Sequence, residues 1–86
     1  MPKISRFYGI IISMYFDDHN PPHFHAKYGV HEALIAINDF TVIGGSFPSR
    51  ALTLVIEWAS QHKDELIKDW NLVKNFKLPY PIEPLK

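Results

Sequence analysis

Eighty-six residues, 47% of them hydrophobic and 21% charged, suit one globular domain whose folding removes about 60–65% of the unfolded chain's surface from water. Nine basic residues balance nine acidic ones, which excludes a strongly basic nucleic-acid footprint and leaves only local patches. The lack of cysteine excludes disulfide frameworks, thiolate zinc sites and cysteine nucleophiles.

Near-zero net charge gives little colloidal repulsion, so a protein partner or a homodimer fits this composition. Residues 1–8 lack the longer apolar run and small-residue cleavage site of a signal peptide. Residues 9–16 are apolar but far short of the ~20 needed to cross a bilayer. The expectation is a cytoplasmic protein with no membrane partner.

Ile10, Ile12, Met14 and Phe16 alternate with Ile11, Ser13 and Tyr15, which predicts a strand, central and covered on both faces. Residues 4–8 read as its first part, with Gly9 a bulge. Asp17 to Pro22 form a turn, because each proline removes a ladder donor. His23 opens the next strand, with His23, His25 and Lys27 on one face and Phe24, Ala26 and Tyr28 on the other. Gly29 interrupts it, and strand character resumes over residues 32–37. Asn38-Asp39 reads as a two-residue hairpin loop before a strand over residues 40–43, which Gly44-Gly45 ends.

The remainder is helical. Pro48 suits a first helical turn, and Ser46 or Ser49 a cap. Leu52, Val55, Ile56, Ala59, Leu66, Trp70 and Val73 mark one amphipathic face to about Asn75. The face falters at His62-Lys63, so the pattern predicts a continuous helix kinked or broken near His62. Trp58 and Trp70 belong to the core, while Asp64, Glu65, Lys68 and Asp69 read as a solvated face. Pro79, Pro81 and Pro84 make residues 77–86 an extended tail, read as loosely attached rather than as an arm docking through Leu78, Tyr80, Ile82 and Leu85. The predicted fold is α+β: a small antiparallel meander of three to four strands, then one long or two consecutive C-terminal helices packed on the sheet. Residues 1–76 form the single domain.

Chemistry concentrates in Asp18, His19, His23 and His25. Two nearby histidines, one neutral and one protonated, can move protons in metal-independent RNA cleavage, with Arg6, Lys27 or Arg50 on the phosphate. His19, His23 and His25 can alternatively bind zinc or another divalent ion, completed by Asp17, Asp18 or His31. The spacing matches no HExxH helix, so no metal and no cofactor is assigned. A third reading makes the cluster a folded turn, its histidines bonded to neighbouring carboxylates and carbonyls. A fourth makes His25, Tyr28 and a strand edge a partner surface. Tyr8, Tyr15 and Tyr80 carry no specific signal.

Several segments together resemble a known family: residues 4–12, Met14-Tyr15-Phe16, Asp18-His19, Pro21-Pro22-His23-Phe24-His25-Ala26, Arg50-Ala51-Leu52 after Pro48, and Trp58. The pattern is similar to the small bacterial proteins of domain of unknown function 4160. The resemblance implies a stand-alone bacterial protein, often encoded beside one of domain of unknown function 2442 in a toxin–antitoxin-like pair. It assigns no catalytic role to any motif residue. The expected function is a component of such a module that acts through a small cognate protein. It would be either a ribonuclease using the histidine cluster or a non-enzymatic adaptor or antitoxin in which the cluster is a structural turn.

Overall fold

β-Branched and aromatic residues build the first half of the chain into a sheet, as the computed structural model of residues 2–86 shows. Among these residues there are five strands, β1 (Lys3–Phe7), β2 (Ile10–Ser13), β3 (His23–Tyr28), β4 (His31–Ala36) and β5 (Val42–Ser46). They pair in chain order as an antiparallel meander. Two helices follow, α1 (Ser49–Gln61) and α2 (Lys63–Lys74). The α+β reading holds.

The fifth strand arises because Gly9 turns the chain rather than bulging it. Tyr8 and Gly9 both have positive φ, 50° and 79°, the twist a two-residue hairpin needs, and Phe7 pairs with Ile10 across them. At the β3–β4 corner Gly29 (φ 59°) and Val30 join Tyr28 to His31. The loop after β4 is longer than two residues. Phe40 adopts φ 58°, and Asp39 Oδ1 accepts from the hydroxyl (2.9 Å) and amide (3.2 Å) of Thr41. Those hydrogen bonds, the hydroxyl's first, hold the Asp39 carboxyl below its usual range. Gly44 and Gly45 lie inside β5 rather than ending it. Gly45 has φ 74°, and a Cβ there would collide with the carbonyl oxygen of Glu32, so only glycine lets β5 approach β4 this closely.

The helices cover one face of the sheet. Trp58 sits 5.4 Å from the ring of Phe7 and edge-on to Phe24 at 5.9 Å. Ile10, Ile12, Phe24, Ala26, Ala33 and Ile35 are fully buried beneath Val55, Ala59, Leu66 and Val73. Each isoleucine, leucine, valine or phenylalanine among them contributes about 1.5–3 kcal/mol by leaving water, and each alanine less. The opposite face meets a helix only at its His23 end, through Trp70 of α2, and is open where Lys27 and Glu32 lie, so helices cover β2 on one side, not two. Directly opposed residues share a face, and here they form two rows: Lys3, Ser13, His25 and Leu34, then Arg6, Ile11, Lys27 and Glu32.

No side chain caps α1. Pro48 occupies the cap position, Ser46 ends β5, and Ser49 is already helical. His62 (φ −131°) separates α1 from α2, so the chain forms two helices. The segment after α2 is extended and seated on the domain. Ile82 N–H donates to the Ile4 carbonyl at 2.7 Å, and Trp58 Nε1–H donates to the Glu83 carbonyl at 2.7 Å. Ile82 is buried and Leu85 packs against the core, while Leu78 and Tyr80 stay exposed. Asp69 is not on a solvated face: it is 2% exposed and accepts from the Tyr80 amide at 2.9 Å.

Candidate functional site

Three constraints assemble the histidine cluster. Strand alternation places His23 and His25 on the open side of β3. Pro21 and Pro22 keep the chain ahead of them out of the ladder, and the Pro22 carbonyl accepts from the Ile37 amide at 3.0 Å. Lys74, at the end of α2, donates to the Asp18 carbonyl at 3.2 Å and ties down the intervening loop. The Asn20–Pro21 peptide is cis.

The Asp18 carboxylate thereby lies against both rings. Its Oδ2 is 3.0 Å from His25 Nε2 and 3.4 Å from His23 Nε2. His23 Nδ1 lies 2.8 Å from the Pro21 carbonyl oxygen, and His25 Nδ1 lies 3.3 Å from Glu32 Oε2. A carbonyl oxygen only accepts, so His23 carries its proton on Nδ1 and a neutral ring presents a bare lone pair at Nε2. That Nε2 is buried and makes no hydrogen bond, its contact with Asp18 being an ion-pair distance without hydrogen-bond geometry. A neutral His25 has one N–H for two carboxylates.

Aromatic rings frame the cluster. Tyr15 stands edge-on to His25 at 4.4 Å, and Trp70 lies 5.3 Å from His23. Burial, then the charges of Glu32 and Asp18, push the Tyr15 phenol above its ordinary value, so it stays protonated near neutrality. His25 also borders a groove of about 240 Å³ on the open sheet face, lined by Lys3, Ile11, Tyr15, Lys27 and Glu32 among others.

Of the residues singled out in the sequence, Asp18, His23 and His25 come together, and Lys27 shares the groove with His25. His19 is exposed and stands outside the three-residue cluster. Arg6 is exposed on the open face opposite Ile11. Arg50 lines a separate cleft with Tyr8, Tyr28 and Leu54, towards the other end of β3. His31 pairs with Tyr28 at that same end, and Asp17 is exposed. Glu32, Lys3 and Tyr15 were not foreseen as site residues. The tight turn at Gly29-Val30 carries the signal for Glu32, since it pairs Lys27 with Glu32 and sets that carboxylate diagonal to His25.

Neither a curated protein nor a solved structure matches the chain. The family profile of the domain of unknown function DUF4160 matches residues 9–71, a span holding the whole Asp18, His23 and His25 cluster, and the chain belongs to that family.

Proposed function

We propose that this domain is the protein-binding member of a two-protein, toxin–antitoxin-like bacterial module, and that it takes a small cognate protein on the open face of its sheet. The observation that carries the binding reading is the uncovered face itself. An antiparallel sheet one layer thick on that side presents a groove with two lysines, a glutamate and His25 on its strands and Tyr15 from the loop after β2. Zero net charge suits a protein partner better than a bare polyanion.

Within such a module the alternative activity is RNA cleavage by the histidines. Acid and base must flank a phosphate, whereas His23 is 5% exposed and shares one carboxylate oxygen with His25. Only His25 reaches the groove, so the arrangement favours binding over two-histidine catalysis.

The test is co-expression with a small protein of domain of unknown function 2442, the kind of partner the family resemblance implies, followed by affinity measurement. A stable complex is expected, weakened at least tenfold by Lys27→Glu and unchanged by Arg50→Ala in the distant cleft. No complex, or one indifferent to Lys27→Glu, rejects the proposal. Growth arrest caused by this chain alone and abolished by His25→Ala would replace it with RNA cleavage.

A further inference from the structure

The geometry points to a metal-binding site: we infer that Asp18 Oδ2, His23 Nε2 and His25 Nε2 together bind one divalent first-row transition-metal ion. The inference does not depend on the partner reading, which concerns the groove on the open sheet face.

The donor atoms already converge. Oδ2 lies 3.0 and 3.4 Å from the two imidazole nitrogens, and all three atoms lie within 4.8 Å of one another. Metal–nitrogen and metal–oxygen bonds of about 2.0–2.1 Å in a tetrahedron put neighbouring ligand atoms about 3.3–3.4 Å apart. The two oxygen–nitrogen spacings already fit within about 0.4 Å, and the two imidazole nitrogens, no more than 4.8 Å apart, close the rest by ring and side-chain rotation.

The second observation is the state of His23. The residue is 5% exposed, its Nδ1–H is committed to the Pro21 carbonyl, and its Nε2 is buried without a hydrogen bond while facing a carboxylate. A lone pair held against an anion is repulsive unless a cation lies between them. A metal ion satisfies both groups at once.

The remaining nitrogens are arranged as metal-binding histidines require. His23 Nδ1 has a backbone carbonyl and His25 Nδ1 has the Glu32 carboxylate, the partners that fix the tautomer and direct Nε2 inward. Two imidazoles and one carboxylate without thiolate suit zinc, iron(II) or manganese(II) rather than calcium or magnesium. His25 also borders the groove, which offers a route for water or an anionic group to a coordination position the three side chains leave open. The sequence spelling of the site is Asp-x4-His-x-His, with His19 outside it.

The same gap can instead be closed by protons, with both rings as imidazolium ions on Asp18, and the experiment must separate the two. Full-length, tag-free, metal-depleted protein is titrated with zinc and, in parallel, manganese(II), by calorimetry near neutral pH. Saturable binding at one ion per chain is expected for at least one of them. Asp18→Asn and His25→Ala should each weaken it at least tenfold, Glu32→Gln about tenfold, and His19→Ala not at all. Asp18→Asn carries the test because it nearly preserves shape, whereas His23→Ala removes packing against Trp70; circular dichroism confirms that each variant is folded. Zinc should also shift the Nε2 resonances of His23 and His25 in long-range nitrogen–proton spectra and leave those of His19 unmoved. No saturable binding of either ion, binding that survives Asp18→Asn and His25→Ala, or binding lost in His19→Ala overturns the inference.

Discussion

Asp69 is the residue whose surroundings depart furthest from its chemistry. Its Oδ1 accepts from the Tyr80 amide, while its Oδ2 is buried without a partner. Burial, the dominant cause, raises its carboxyl above the ordinary range, with the Tyr80 hydrogen bond opposing it. The folded protein therefore holds this proton more tightly than the unfolded chain does. Its contribution is fully present below the ordinary carboxylate value and is lost as pH rises through the raised one. Asp69→Asn keeps an oxygen for the Tyr80 amide and removes the charge. It should stabilise the fold at neutral pH and flatten the decline that sets in as pH rises above the ordinary carboxylate range, as read by urea unfolding across a pH series. A variant less stable than the parent at pH 7, with an unchanged pH profile, would contradict this account. In the sequence Asp69 looked solvated because its cover comes from a proline-rich segment eleven residues on, which helical periodicity does not register.

At the scale of elements, the C-terminal segment is held by its own hydrogen bonds and by Ile82 in the core. Extended conformation was legible from the prolines, but seating was not, because one buried isoleucine between prolines has no periodicity to reveal it. Ile82→Ala should lower stability by about 2–4 kcal/mol through lost burial and a cavity beside Ile4 and Trp58, measured by equilibrium urea unfolding. A loss below about 0.5 kcal/mol would make the segment a surface strap. The helix break was half legible for a related reason. His62 occupies an apolar slot between Ala59 and Leu66 and packs on Trp58 at 5.6 Å, so the hydrophobic phase runs on while the backbone does not. The first hairpin was hidden by Tyr8, a bulky residue where asparagine or glycine usually announces a turn with positive φ.

Across the whole molecule, strands preceding helices with short connections made the α+β meander readable, and alternation along β3 put His23 and His25 side by side. The choice of Asp18 over His19 as their companion was not readable. It depends on how the loop is anchored, and one anchor is Lys74, 56 residues away. The sheet thus has one face spent on folding and one left free, and mutational cost should divide along that line. Arg6→Ala and Lys27→Ala remove exposed side chains from the free face and should each change stability by no more than about 0.5 kcal/mol. Trp58→Ala removes the fully buried ring that joins Phe7, Phe24 and the Glu83 carbonyl, and should cost about 3–5 kcal/mol. Chemical denaturation of the three variants decides it. If the open-face substitutions each cost more than about 2 kcal/mol, that face holds the fold together and is not free to receive a partner. If they cost nothing while Lys27→Glu abolishes the complex, the groove is a surface kept for binding.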